Sequence, residues 1–175
     1  MRKVLVVIDM QNDFIDGSLG TPEAQAIVPK VVEKIRAYDP WNIYLTRDTH
    51  YENYLETQEG HNLPVVHCVK DTEGWQLREE VAEAAEGATI VDKPTFGSNQ
   101  LAAILMTQRA TEALEIELVG LCTDICVVSN ALLLKAAMPE APITVDANCC
   151  AGVTPEKHMA ALETMKSCQI RVINE

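Results

Sequence analysis

Residues Lys3–Ile8 (KVLVVI) place five aliphatic side chains in a row. A strand with one wet face alternates apolar with polar residues. An unbroken run suits a strand covered on both faces, the position of a central strand in a parallel sheet. The rest of the chain alternates between the two kinds of pattern. Ile27, Val28, Val31, Val32 and Ile35 recur at helical spacing, which predicts a helix over Pro22–Tyr38 with Pro22 in its first turn. Asp39-Pro40 stops it, and Asn42–Thr46 (NIYLT) reads as a second strand. A helix is then predicted over Gly74–Glu86, a short strand over Thr89–Val91, and a helix over Ser98–Arg109 capped by Ser98. A strand at Glu115–Leu121, an apolar helix at Cys126–Ala137 and a strand at Ile143–Asp146 follow. The helix Thr154–Ser167 and the strand Gln169–Ile173 complete the series. Strand–helix alternation implies right-handed crossovers. The expected fold is therefore α/β: a single domain over 1–175, with a parallel sheet of about six strands and helices on both faces. No Pro/Gly/Ser-rich linker interrupts it.

Ligands of such sheets bind beyond the carboxyl ends of the strands. Those ends here carry Asp9, Asp48 with His50, Lys93, Leu121 through Cys126, and Asp146 with Asn148. Charge excludes some roles for that rim. With 14 Lys+Arg against 26 Asp+Glu the net charge is -12, so phosphate backbones and anionic lipid are repelled and no nucleic-acid or membrane partner is expected. No window approaches the roughly 20 apolar residues of a membrane span, and the opening MRKVLVVIDMQND does not read as a secretory signal. The six cysteines lack the framework of a small secreted protein and read as thiols of a cytoplasmic chain.

Three rim residues bear on chemistry. Asp9 ends the buried strand, where an ionised carboxylate is costly unless it is paired or used; a capping role is the alternative. Lys93 follows a strand, where lysines are ordinarily solvated, but Pro94, Phe96 and Gly97 shape a tight apolar wall beside it. Cys126 sits where a strand turns into a helix. A thiol there gains thiolate character from the dipole and free amides, whereas the ordinary fate of a cysteine is burial as a small hydrophobe. Asp48 and His50, two residues apart, face the same way in extended chain, and His67 follows within reach. Carboxylate plus two imidazoles is an open-site ligand set suited to zinc, iron or manganese, although the spacing alone is a weak signal.

The segments VVIDMQNDF (6–14), TRDTH (46–50), LPVVHC (63–68), KPTF (93–96) and GLCTDICV (120–127) occur in this order across nearly the whole chain. In them the chain resembles the isochorismatase-like cysteine hydrolases, and within those the nicotinamidases and pyrazinamidases. The resemblance implies a catalytic set of Asp9, Lys93 and Cys126. Asp9 would take the thiol proton and later protonate departing ammonia, and Lys93 would hold the carboxylate. It also implies a cis peptide at Leu121–Cys122, with the Cys122 and Cys126 amides holding the oxyanion. Asp48, His50 and His67 would bind a divalent metal, zinc first with iron or manganese as alternatives, that holds the substrate's pyridine nitrogen. Glu59 is favoured over His61 as a fourth ligand. Phe14, Leu19 and Phe96 are candidate walls for a flat ring, although plain packing explains each singly.

The activity implied is hydrolysis of nicotinamide to nicotinate and ammonia through a cysteine thioester, in pyridine nucleotide salvage. The family also implies a homo-oligomer. Cys68, where some relatives offer an aromatic, and a compact lid keep another small amide in view as substrate. A non-enzymatic thiol sensor using Cys122, Cys126 and the Cys149-Cys150 pair is the rival class. His158 reads as a surface residue, and Trp75 as the start of a helix or a core anchor.

Overall fold

β1 (Arg2–Ile8) has its side chains divided between two apolar clusters. Val4, Val6 and Ile8 enter a cluster of 23 buried residues, and Leu5 and Val7 enter another of 21. Because side chains alternate across a strand, both faces of β1 are core, and this is the physical content of the KVLVVI run. The computed structural model describes residues Met1–Glu175. The further strands are β2 (Ile43–Asp48), β3 (Thr89–Lys93), β4 (Leu114–Leu121), β5 (Ile143–Ala151) and β6 (Arg171–Ile173). All pair in parallel, in the order β3-β2-β1-β4-β5-β6.

The helices are α1 (Asn12–Ile15), α2 (Pro22–Arg36), α3 (Gln58–Asn62), α4 (Glu79–Ala84), α5 (Asn99–Arg109), α6 (Val128–Ala137) and α7 (Pro155–Ser167). α1, α2 and α4 cover the Leu5/Val7 face, and α5, α6 and α7 the other. Thr21, Ser98 and Thr154 cap α2, α5 and α7 by accepting the Ala24, Leu101 and Lys157 N–H groups. No helix is long and apolar enough to cross a membrane. The α/β parallel sheet of six strands with helices on both faces is as expected. The strand order reverses between β1 and β4, so a crevice opens beyond their carboxyl ends.

Three local expectations are corrected. Only Glu79–Ala84 of the predicted helix Gly74–Glu86 is helical. Residues before it are held in turns, with Gly74 O accepting Asp13 N–H and Gln76 O accepting Asn12 N–H. Trp75 is accordingly a core anchor. It is buried, its Nε1–H donates to Thr49 Oγ1 at 2.9 Å, and the Arg47 guanidinium lies 3.7 Å over its ring. The helix expected from Cys126 starts at Val128, after a wide π-type turn over Thr123–Val127. β5 continues beyond Asp146 to Ala151 by a register shift, since Leu118 pairs with Val145 but Gly120 with Cys150. Asp146 therefore leaves the rim, and its carboxylate pairs with Lys34 of α2 at 2.7 Å.

Candidate active site

Asp9 is the first residue past β1, fully buried and left-handed (φ 46°), a conformation Asp tolerates better than most residues. Its N–H donates to Thr46 O, and the Thr46 hydroxyl donates to Asp9 Oδ1 at 2.6 Å, so the neighbouring strand β2 sets the carboxylate's orientation. Lys93 is the last residue of β3, with its side chain 1% exposed. Its Nζ lies 2.7 Å from Asp9 Oδ2 and 3.6 Å from Asp48 Oδ1, and it donates to Thr95 O at 3.1 Å and Cys126 Sγ at 3.4 Å. Cys126, buried in the turn after β4, completes the set. Three residues from three strand ends thus meet around one ammonium.

Burial pushes the Asp9 carboxyl up, with Lys93 pulling against it, and the result stays above the ordinary carboxylate range. Burial works to lower Lys93, but Asp9, Cys126 and Asp48 outweigh it and hold the ammonium charged. The Cys126 thiol is raised well above its usual range, chiefly by burial and by the Asp9 charge, with a hydrogen bond to Asp9 adding to the effect. At rest, then, the sulfur carries its proton, and the adjacent carboxylate is a better base than a solvated one.

The turn that carries Cys126 presents a backbone donor. The Leu121–Cys122 peptide is cis. Ile125 and Val127 N–H close on Cys122 O at 3.1 and 3.0 Å, whereas Cys122 N–H has no acceptor within the chain. An unpaired N–H beside a cavity and one turn from a sulfur can take an oxygen that gains charge.

Asp48, the last residue of β2, lies next to Asp9 and Lys93 and faces a second group. Asp48, His50, Glu59 and His67 hold their ligand atoms within 4.8 Å of one another. His50 Nε2 is 3.0 Å from Asp48 Oδ2 and 3.5 Å from Glu59 Oε1; His67 Nε2 is 3.6 and 3.7 Å from the same oxygens. Ligands bound at about 2.1 Å around one ion lie about 3.0–3.4 Å apart, close to these spacings. The tautomer also fits: His67 Nδ1–H donates to Val65 O at 2.8 Å, leaving Nε2 with its lone pair toward the cluster. Burial raises Asp48, but its contacts with His50 and His67 and the Lys93 charge bring it well below the usual range, so it is ionised as a ligand must be. These four residues fit a divalent metal such as zinc, iron or manganese. Glu59 projects from α3; His61, on the same short helix, is exposed and outside the group.

The two groups border one cavity of about 750 Å³. Asp48, Glu59 and His67 line one side and Cys126, Cys122 and Leu121 the other, with Phe14, Leu19 and Phe96 among the apolar walls. Asp9 and Lys93 sit beneath its floor. Asp9, Lys93, Cys126, Asp48, Glu59, His67, Phe14, Leu19 and Phe96 therefore lie in or directly under one crevice at the β1/β4 switch point, whereas Asp146 and His61 do not.

Several contributors escaped the sequence reading. The buried Gln11 and Tyr54 are two of them, and Tyr54 packs edge-on against both His50 and His67 at centroid distances of 4.7 and 5.0 Å. Nothing in the sequence marks an aromatic as a backing for imidazoles. His158 is a correction: it is half-buried on α7, with Nδ1 2.7 Å from the Thr123 hydroxyl at the start of the Thr123–Val127 turn.

Comparison with known proteins gives the family and the structural neighbours of the chain. The isochorismatase domain matches residues 3–175. A nicotinamidase of Saccharomyces cerevisiae is 34% identical over 122 residues, 52% of this chain and 56% of the yeast protein, so the alignment spans little more than half of that relative. A pyrazinamidase of Pyrococcus horikoshii, solved in complex with zinc, is 30% identical with a TM-score of 0.79 over 100% of both chains. A nicotinamidase/pyrazinamidase from Bacillus subtilis is 26% identical with a TM-score of 0.82, over 99% of this chain and 100% of its own.

Proposed function

The chain belongs to the isochorismatase family, and from that membership we propose that it is an amidohydrolase that converts nicotinamide, and equally pyrazinamide, to the free acid and ammonia through a thioester on Cys126. The observation that carries this reading is the meeting of Asp9, Lys93 and Cys126 around one ammonium, under a cavity whose opposite side is the Asp48/His50/Glu59/His67 group.

The steps follow from the positions. As Sγ attacks the amide carbonyl carbon, the thiol proton passes to Asp9, whose raised affinity for protons suits it to accept. Lys93 keeps its charge throughout and stabilises the anion, which moves from carboxylate to sulfur. The carbonyl oxygen gains charge against the unpaired Cys122 N–H and the amide of Cys126. Asp9 then returns its proton to the departing nitrogen, and ammonia leaves with a thioester on Cys126. In the second half Asp9 takes a proton from water, the hydroxide adds to the thioester, and the sulfur departs with that proton. A divalent metal bound by Asp48, His50, Glu59 and His67 would supply a Lewis-acidic seat for the ring nitrogen. Phe14, Leu19 and Phe96 would enclose the ring.

A cavity of about 750 Å³ exceeds what one small ring fills, which favours as second reading a bulkier aromatic amide handled by the same residues. The cysteine's burial and raised pKa speak against an oxidant sensor, whose thiol needs low pKa and access. The test is ammonia release from nicotinamide, pyrazinamide and larger aryl amides, by the wild-type protein and Cys126→Ala, with and without chelator. Turnover by wild type alone supports the proposal; undiminished release by Cys126→Ala overturns it.

A further inference from the structure

Lys93 donates to Thr95 O in the loop that follows it, Pro94–Ser98, and that loop is held against the helix that follows Cys126. The groups that hold it belong largely to one side chain. Asn130, on α6 one turn beyond Cys126, is fully buried. Its Nδ2 donates to Cys126 O at 2.8 Å and to Phe96 O at 3.0 Å, and its Oδ1 accepts Ser98 N–H at 2.9 Å. One carboxamide therefore spans the nucleophile turn, the wall residue Phe96 and the start of α5. The loop lies so close to α6 that a Cβ on Gly97 would come within 3.3 Å of Ser129 O. Within the same loop Thr95 O accepts the Lys93 ammonium, and the Thr95 hydroxyl donates to Gly97 O.

We propose that Asn130 is a positioning residue that sets the distance between the Lys93 ammonium and the Cys126 sulfur by pinning the Pro94–Ser98 loop to α6. This rests on Cys126 being the nucleophile. A buried amide with both donors and its oxygen in use has one orientation, so it transmits position rather than merely filling space. Truncation leaves Ser98 N–H, Phe96 O and Cys126 O without partners, and the loop relaxes toward solvent to satisfy them. Thr95 O moves with it, and the ammonium loses one of the contacts that aim it. A misplacement on the order of 1 Å in such a group costs about 100-fold in rate.

The test compares Asn130→Ala with Leu134→Val, a change in the core side of the same helix that touches none of these bonds. Two readouts are taken: steady-state release of ammonia from nicotinamide, and the pH profile of iodoacetamide alkylation at Cys126 resolved by peptide mass spectrometry. Asn130→Ala is expected to lower kcat about 100-fold and to move Cys126 alkylation to higher pH, because Lys93 no longer favours the thiolate, while Leu134→Val does neither. A wild-type kcat and alkylation profile in Asn130→Ala, or the same changes in Leu134→Val, overturns the proposal. If Asn130→Ala does not fold, Asn130→Asp carries the test. It keeps the acceptor for Ser98 N–H but turns both donors into acceptors facing carbonyl oxygens. Partial recovery of its alkylation rate relative to wild type as the new carboxyl protonates supports the proposal, and a profile identical to wild type at every pH overturns it. An alkylation shift in a protein that never hydrolyses an amide would remove the amidase reading and leave the positioning role intact.

Discussion

Gln11 grips Asp48 by both sides of its backbone: its Oε1 accepts the Asp48 N–H at 2.7 Å, and its Nε2 donates to Asp48 O at 2.9 Å. The same Nε2 donates to Trp75 O at 2.9 Å. Gln11 lies two residues beyond Asp9, so one short segment carries Asp9 and also holds Asp48 at the end of the neighbouring strand. Gln11→Ala is expected to weaken metal binding about 10- to 100-fold, as loss of a supporting partner of a ligand does. Competition against a chelator with zinc measures it; unchanged zinc affinity would disconnect Gln11 from the Asp48 group.

Asp9 and Lys93 are a fully buried ion pair, so removing one partner strands the other charge. Lys93→Met is expected to cost about 3–5 kcal/mol of stability, while Asp9→Asn with Lys93→Met recovers most of it. Denaturant titration of both single variants and the double variant checks this. Neither variant is expected to release ammonia, which separates what the pair does for chemistry from what it costs the fold.

Gly120 sits at φ +117° in β4 opposite Ile8, and a Cβ there would lie 2.1 Å from Ile8 O. The contact falls immediately before Asp9 on one strand and Leu121–Cys122 on the other. Gly120→Ala is expected to destabilise by more than about 4 kcal/mol, among the largest effects of a single substitution. A thermal unfolding midpoint within a few degrees of wild type would contradict the close approach of β1 and β4.

Lys34 and Tyr38 of the α2 region share Glu117, which lies 2.7 Å from the ammonium and accepts the phenol O–H at 2.6 Å. Burial works to lower Lys34, but Asp146 and Glu117 raise it; burial and then Glu117 raise Tyr38. Both groups hold their protons more tightly folded than unfolded. Their contribution is therefore complete below the ordinary values of about 10 and is lost as pH rises from there. Urea midpoints measured from pH 8 to 11 are expected to fall above pH about 10, and to fall less steeply in Tyr38→Phe. Equal slopes in the two proteins would remove Tyr38 from the account.

The periodicities were strong enough to place every strand of the sheet, because a β-branched run has few other homes. Boundaries failed where tertiary bonds override local pattern. Gly74–Arg78 reads as helix by its apolar spacing, yet Asn12, Asp13 and Gln11 draw its carbonyl groups into turns. β5 outruns its predicted end because pairing of Cys150 with Gly120 continues past a bulge that no propensity encodes. Asp9, Asp48, His50, Lys93 and Cys126 stand at strand ends in the sequence and His67 follows the Leu-Pro stretch, while their joint role came only from the family resemblance. Gln11, Thr46, Tyr54 and Asn130 did not stand out, since a residue that supports another is distinguished by its partner and not by its own type.

What the sequence determined by itself is the layering: apolar runs of strand length alternating with helical faces admit a parallel sheet and little else, and its carboxyl edge is then the place for chemistry. What only the tertiary structure decided is distance. The 2.7 Å from Lys93 to Asp9 and the 3.4 Å from Lys93 to Cys126 join residues 84 and 33 positions apart, and they depend on the strand order that sets the ends of β1, β3 and β4 at one edge of the sheet. Charge–charge and hydrogen-bond energies change steeply over a single ångström, whereas hydrophobic patterning tolerates several, and the two levels of description separate at that difference.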